Sequence, residues 1–462
     1  MTDADLLIVG AGPAGMAAAA TAAYLGLTVA LLDEQPAPGG QIYRAITSGG
    51  AERGAVLGPD YLSGKDLADA LGSDKITLIP GATVWQIDEA GWLAYSQGGV
   101  GKRIAGRRIL LANGALERPM PIPGWTLPGV MTAGAGQILL KQSGMVAEQA
   151  VLAGSGPLLY LLAQQMIRAG CPPLALVETQ TLADLVHARR YLLGALRDWR
   201  TLAKGSKLLS EIRRAGVKRY RGASELRVEG QDKADSLVFQ CGGKQERLAC
   251  QTVLLHHGVV PNTQATRALR LEHDWDERQR CFRPRCDRFG ATAIANLYLA
   301  GDGKGIGGAQ VAETEGRLAA VAIAHDLERI DTREFKRRAS PLKSARKQAL
   351  AARALLDTAY PPYAESLRPS DETLVCRCEE VTAGQIRGYA KRGCQGPNQT
   401  KAFGRPGMGP CQGRYCGLTV TEILAEANGT TPEEVGYYRL RQPLKPVSLG
   451  EFVGLTEEKD PA

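Results

Sequence analysis

Asp5-Leu-Leu-Ile-Val9-Gly10-Ala-Gly12-Pro13-Ala14-Gly15, followed by an alanine-rich run up to Gly26, decides how the rest of the chain is read. It is a strand, a tight turn and a helix. Gly10 permits the turn, Gly12 leaves room for a pyrophosphate, and Gly15 lets helix and strand pack closely. The helix N-terminus offers unpaired N–H groups and the positive end of the dipole to phosphate. Gly26-Leu-Thr-Val-Ala-Leu-Leu-Asp33 then reads as a second strand. Its terminal carboxylate Asp33, with Glu34 beside it, falls about 20 residues on, within reach of a ribose hydroxyl. An ordinary strand–helix–strand unit without ligand is the plainer alternative.

The chain has 462 residues, room for about three domains with large cores. Its net charge of +8 is modest and its aromatics are scarce, which argues against a nucleic-acid surface and for a solvated basic face. No apolar run is long enough for a spanning helix. Asp3 and Asp5 stand where a secretory signal would be basic, so a cytoplasmic protein is expected, with attachment to the inner membrane only through a complex as the alternative. Four of ten cysteines, Cys376, Cys378, Cys411 and Cys416, crowd into one late segment, which favours a metal site over disulfides.

Further landmarks follow in chain order. In Gly39-Gly40-Gln41-Ile-Tyr43-Arg44 the paired glycines let backbone pass close to a bulky ligand. Arg108-Ile-Leu-Leu-Ala-Asn113-Gly114 reads as a buried strand ending in a turn, and Pro119, Pro121, Pro123 and Pro128 mark a crossing between domains. Ala150-Val-Leu-Ala-Gly154-Ser-Gly156-Pro-Leu-Leu159 is a weaker second fingerprint, with Leu159 in place of the third glycine. If it holds a nucleotide, Glu178 at the end of the next strand favours NAD over NADP. The stretch His187 to Tyr220 is expected to be helical and exposed, its charges serving solvation. Adjacent His256 and His257 on a strand point to opposite faces, which disfavours a shared metal.

Asn296-Leu-Tyr-Leu-Ala-Gly301-Asp302-Gly303 repeats the strand-to-turn pattern before a helix at Ala309–His325. Asp302 could there hold the ribityl hydroxyls of a flavin, with helix capping as the alternative. Residues 331–370 form a charged connection in which Ser340-Pro341 is expected to start a helix and Pro361-Pro362 to stop one. Beyond the cysteine segment, Thr431-Pro-Glu-Glu434 is a capping box, and Tyr437 to Leu455 is expected to be extended and to lie along another surface.

These landmarks resemble the two-dinucleotide-binding flavoproteins of the disulfide reductase type over about residues 1–326, although no cysteine pair stands where their redox-active dithiol would be. The resemblance implies an α/β fold of two Rossmann-like domains, FAD-binding 1–120 with 258–326 and an inserted 121–257, and extends the cofactor residues to Asn113, Gly114 and Gly301. Asn113 departs from the usual Thr, but tolerates the same turn. Thiolates ligate iron well; a C-x-C pair, 32 intervening residues and C-x4-C resemble the bacterioferritin-associated-ferredoxin-like [2Fe-2S] domain, expected at 371–428 after a helical linker 327–370 and before a short helix and docking tail at 429–462. A four-Cys zinc site is the alternative.

Gln41-Ile-Tyr-Arg44, Glu117-Arg-Pro-Met-Pro-Ile-Pro-Gly-Trp125, His256-His-Gly-Val-Val-Pro-Asn262 and Gly407-Met-Gly-Pro-Cys-Gln-Gly-Arg414 resemble one family across nearly the whole chain. It is that of the flavin-containing α-type subunits of bacterial amino-acid dehydrogenases: the A-subunit of opine oxidase, the B-subunit of hydrogen cyanide synthase and the α-subunit of D-hydroxyproline dehydrogenase. The resemblance implies a hetero-oligomer. A D-amino-acid-oxidase-like FAD subunit takes hydride from the substrate, and electrons pass to this chain's flavin and cluster; a small ferredoxin-like subunit is common. An adenine nucleotide here with FMN at a subunit interface is the alternative cofactor set. An NADH-dependent reductase and a non-catalytic scaffold are the rival readings.

Overall fold

Parallel strands built from near-continuous apolar runs need cover on both faces, and Leu6, Leu7, Ile8, Leu31 and Leu32 are all fully buried. Each such side chain contributes about 1.5–3 kcal/mol on burial. In the computed structural model, which describes residues 3–49 and 51–457, Ala4–Val9 lies between Val29–Asp33 and Val100–Leu111 in parallel, with Leu6 opposite Val29. Ile76–Pro80 extends the sheet beyond Val29–Asp33, and Leu297–Leu299 joins it on Val100–Leu111. Strand Val100–Leu111 serves two sheets, because its first half pairs antiparallel with Trp92–Gln97, which pairs with Thr83–Ile87.

Helices Pro13–Tyr24 and Ala309–Asp326 cover one face of this sheet, side by side. Their approach is set by Gly316, where a Cβ would stand 2.0 Å from the Ala14 carbonyl oxygen. Both helices begin where the sequence places phosphate-facing turns.

The second sheet is wholly parallel, in the order Lys218–Arg221, Ala175–Glu178, Ala150–Gly154, Thr252–His256, Val130–Thr132. A three-stranded antiparallel layer, Ser224–Glu229, Ser236–Cys241 and Lys244–Ala249, packs against it around Leu237 and Phe239. The chain passes between the two sheets through Ala115–Glu117 and returns through Val259–Pro261, which pair antiparallel.

Three sequence expectations are corrected here. The stretch 187–220 is helical only to Arg214; Lys218–Arg221 is the edge strand of the second sheet. Helix Thr332–Ala349 runs straight through Pro341 instead of starting there. Asp331 is the cap, its Oδ1 accepting the Glu334 N–H at 2.7 Å, and packing of Phe335, Ala339 and Leu342 against Leu318 and Val321 offsets the proline cost of about 3 kcal/mol. The tail after Tyr437 lies along a surface as expected, but that surface is the chain's own first domain, and it ends in a helix, Leu449–Glu457. Gln442 brackets the Ile87 backbone, accepting its N–H at 2.6 Å and donating to its carbonyl at 2.8 Å, and Leu444 N–H donates to Trp85 O at 2.7 Å.

The late cysteines sit in a small module made of the hairpin Leu374–Cys376 and Val381–Thr382 with helices Ala383–Lys391, Pro397–Gly404 and Gly417–Asn428. Val420, Ile423, Leu424 and Ile386 form its core. Arg280 clamps it to the first domain through a bidentate pair with buried Glu422 at 2.7 and 2.6 Å, and Trp125 Nε1 donates to Leu374 O at 2.7 Å.

Candidate cofactor sites

The first site is assembled by the ends of the parallel strands. Asp33 holds the glycine turn: Oδ2 accepts the Ala11 N–H at 2.5 Å and Oδ1 the Gln35 N–H at 2.7 Å. Burial raises its pKa, against the lowering effect of these two amides. Glu34 is outward and pairs with Lys445 from the C-terminal tail. Helix Pro13–Tyr24 has no side-chain cap at Gly12, and beside Gly12 only the Gly40 Cα comes within 4 Å of where a Cβ would be. An open backbone and uncapped helix end are what a pyrophosphate requires.

At the other end of this crevice Asp302 Oδ1 accepts the N–H groups of Gly307 and Gly308 at 2.8 and 3.0 Å, ahead of helix Ala309–Asp326. Asp302 therefore closes the turn into the helix with one oxygen. Asn113 and Gly114 are joined to the returning strand: Asn113 Nδ2 donates to Asn262 O at 2.8 Å, and Asn262 N–H donates to Gly114 O at 3.0 Å. Asn262 Oδ1 and Gln264 Oε1 are left buried without a donor. Orphaned acceptors of this kind cost free energy unless a ligand N–H or O–H meets them, so the donor set and the open cradle together fit a flavin dinucleotide.

The Gly40–Gln41 loop is held from below by a residue the sequence reading missed. Lys141 Nζ donates to Gln41 O at 3.0 Å and to Gln137 Oε1 at 2.9 Å, and Gln137 donates to Gln165 Oε1 at 2.9 Å. The lysine is 4% exposed; burial, helped by nearby Arg44, pulls its pKa down to about 7. The available signal was a lysine four residues after Gln137 on the helix face that also carries Ala133, Gly136 and Leu140.

The second fingerprint is built differently. Glu178 is not open to a ribose. It is fully buried, Arg219 donates to it bidentately at 2.9 and 2.7 Å, Gln180 Nε2 donates at 2.9 Å, and the Tyr160 hydroxyl also donates to it. Glu178 braces helix Pro157–Arg168 to the edge strand Lys218–Arg221. Gly154 and Gly156 lie against His256, whose ring stands 2.9 Å from the Cβ position of Gly156. His256 Nδ1 pairs with Glu117 Oε1 at 2.6 Å, while Glu117 Oε2 accepts the Gly134 N–H at 2.8 Å. His257 faces the opposite way. Its Nδ1 accepts from Tyr363 N–H at 3.2 Å, so Nε2–H donates to Pro119 O at 2.8 Å, and burial holds the ring neutral by lowering its pKa well below 6.5.

The four late cysteines come together as two pairs. Cys376 faces Cys416, and this contact draws Cys376 down to about 6 and pushes Cys416 up. Cys378, the exposed member, faces Cys411. Backbone amides of Gly407, Glu379 and Cys378 point at the Cys376 sulfur. Among the described residues, no three His, Cys, Asp or Glu side chains converge on a point that would hold a single metal ion. Two thiol pairs amid backbone N–H groups would supply the four thiolates that a two-iron cluster takes. Cys394 is buried away from both pairs beside Asn428.

The comparisons bear on the fold and the site together. The profile of the pyridine nucleotide-disulphide oxidoreductase family matches residues 4–316, and that of the sarcosine oxidase A3 domain matches residues 370–454. The A-subunit of opine oxidase from Agrobacterium tumefaciens (strain Ach5) is 45% identical over 98% of this chain and 92% of its own. The HcnB subunit of hydrogen cyanide synthase from Pseudomonas aeruginosa is 31% identical over 98% and 99%. The structure of L-proline dehydrogenase from P. horikoshii superposes with a TM-score of 0.70 at 17% identity, covering 97% of this chain and 79% of that one.

Residues 4–316 thus have the two-nucleotide-domain architecture of the pyridine nucleotide-disulphide oxidoreductases. More narrowly, the chain belongs to the family of the opine oxidase A-subunits.

Proposed function

We propose that this chain is the electron-relaying subunit of a multi-subunit flavin oxidoreductase acting on the carbon–nitrogen bond of an amino or imino acid. The observation that carries the reading is the union, in one chain, of an open dinucleotide cradle and two facing thiol pairs, clamped together by Arg280–Glu422 and by the tail. The names of the opine oxidase and hydrogen cyanide synthase relatives agree with a place in such a complex.

Gly10, Gly12, Pro13, Ala14 and Gly15 would hold the pyrophosphate of FAD, Asp33 the adenosine ribose, Gly301 and Asp302 the ribityl chain, and Asn113, Gly114 and Asn262 the pyrimidine edge. Cys376, Cys378, Cys411 and Cys416 would hold a [2Fe-2S] cluster. A flavin accepts two electrons and releases them singly, and a cluster of this type carries one at a time. The protein contributes position. The Asn262 oxygen offers an acceptor, Asp33 stiffens the turn, and the buried core around Tyr438 keeps water from Cys376 and Cys416.

Substrate oxidation is assigned to a partner FAD subunit of the D-amino-acid-oxidase type, as the family resemblance implies. FMN at the interface with that partner is the variant cofactor arrangement. The burial of Glu178 weighs against a self-sufficient NADH reductase. No helix among the described residues is long and apolar enough to cross a membrane. Mass measurement of the extracted flavin, together with iron and sulfide counts on anaerobically purified protein, tests the assignment. FAD with two irons per chain is expected; a chain without flavin would overturn it.

A further inference from the structure

The loop that carries Cys411 and Cys416 is held in place by the tail, and it presents a guanidinium with no acid to answer it. Tyr438 fills the space left by two glycines of that loop: a Cβ on Gly407 or Gly413 would stand 2.5 Å from its ring. The Tyr437 hydroxyl donates to Gly413 O at 2.9 Å, and Gln412 Nε2 donates to Pro443 O at 2.8 Å. Between these anchors Arg414 bends back on Cys411. Its backbone N–H and its Nη1 both donate to Cys411 O at 3.1 Å, while Nη2 donates to Leu444 O at 2.6 Å. Among the described residues no carboxylate stands within ion-pair distance of Arg414; Glu34, close enough to act on it, is taken by Lys445. Burial opposes the charge of Arg414, and the Cys411 thiol is the first of the groups that favour it.

We propose that Arg414 is the fixed counter-charge of the four-cysteine site and raises the reduction potential of the two-iron cluster held there. The inference rests on the relay reading above. Four thiolates make the site anionic, and each electron received adds one more negative charge without forming or breaking a bond. A cation in a desolvated place favours the reduced state, because its attraction is screened less than in water. The neighbouring cations are placed otherwise. Arg377, between Cys376 and Cys378, lies over the Trp125 ring at 5.3 Å, Arg405 pairs with Glu379 at 3.2 Å, and Lys401 lies over the Tyr438 ring at 4.9 Å. Of these four side chains only Arg414 holds the backbone of a cysteine. Its other contact, Leu444, donates in turn to Trp85 O in the first domain at 2.7 Å, so one side chain joins the cysteine loop to the dinucleotide domain.

The test is a dithionite titration of the anaerobically purified full chain with redox mediators, the cluster read by EPR, for wild type, Arg414→Gln, Arg414→Lys and Tyr437→Phe. Removing the charge should lower the ratio of reduced to oxidised cluster about tenfold at the wild-type midpoint, a shift of about 59 mV for one electron. Arg414→Lys should lose less than half of that shift. Tyr437→Phe, which loosens the loop and keeps the charge, should leave the ratio within about twofold. An iron-loaded Arg414→Gln chain with the wild-type midpoint would overturn the proposal. So would an equal fall in Tyr437→Phe, which would make loop position the cause instead of charge. If Arg414→Gln keeps no iron, Arg414→Lys decides: a midpoint near wild type supports the proposal, and a tenfold fall overturns it. A wild-type chain with no cluster signal on reduction refutes the relay reading itself, and this inference with it.

Discussion

Replacing Lys141 by methionine should stabilise the protein at neutral pH and destabilise it in alkali. The amine falls from an ordinary value near 10.5 to about 7 in the folded chain. Because the folded-state pKa is depressed, the unfolded chain binds more protons between these values, and stability rises with pH across that window. The cost of keeping this lysine buried is about 4 kcal/mol at pH 7 and under about 1 kcal/mol at pH 10. Methionine removes the cost, but leaves the Gln41 carbonyl and Gln137 Oε1 without their donor, a loss of about 2–3 kcal/mol. The variant should therefore be more stable than wild type by about 1–2 kcal/mol at pH 7 and less stable by about 2 kcal/mol at pH 10. Urea unfolding at half-unit pH steps reads the difference directly. A difference that stays constant between pH 7 and 10 would refute the assignment of Lys141 as a buried, largely uncharged amine.

Arg280→Ala leaves the Glu422 carboxylate buried and unpaired, at a cost of about 3–5 kcal/mol; it should free the cysteine module, seen as new proteolytic cuts between residues 360 and 372. Gly12→Ala meets nothing closer than 3.8 Å and has an ordinary φ, so its melting temperature should match that of the flavin-free wild type while flavin binding is lost. Gly15→Ala drives its Cβ to 1.8 Å from the Gly10 carbonyl oxygen and should fail to fold; folded, flavin-loaded Gly15→Ala protein would contradict the turn geometry. Cys411→Ser should cut iron content severalfold, with the flavin absorbance retained.

The order of strands and turns around the first site was legible because glycine spacing and terminal carboxylates are local signals: Gly10, Gly12 and Asp302 stand at strand-to-helix turns, Gly15 in the first turn of the helix that follows, and Asp33 at a strand end. What pairs with those residues was not legible. Glu178 occupies the expected register at its strand end, yet Arg219, 41 residues on, and Tyr160 turn it inward. Lys445 reaching Glu34 across 411 residues leaves no trace in local pattern. Pro341 shows the converse, an expected helix start that falls in mid-helix, because Asp331 caps the helix upstream of it and packing against Leu318 and Val321 carries it through the proline. Charge in 187–214 obscured the exposed apolar side chains between the arginines, Leu192, Leu193, Leu196 and Trp199, because exposure is a property of what the segment packs against.

The central claim is that electrons leave the substrate in a partner subunit and arrive at the cysteine pairs of this chain. Anaerobic EPR on the co-expressed complex, before and after adding candidate amino acids, tests it most directly. The account predicts a [2Fe-2S] signal that grows on substrate addition only when the partner is present. Reduction of this chain alone by NADH, or a complex turning over with an EPR-silent, iron-free cysteine module, would contradict it.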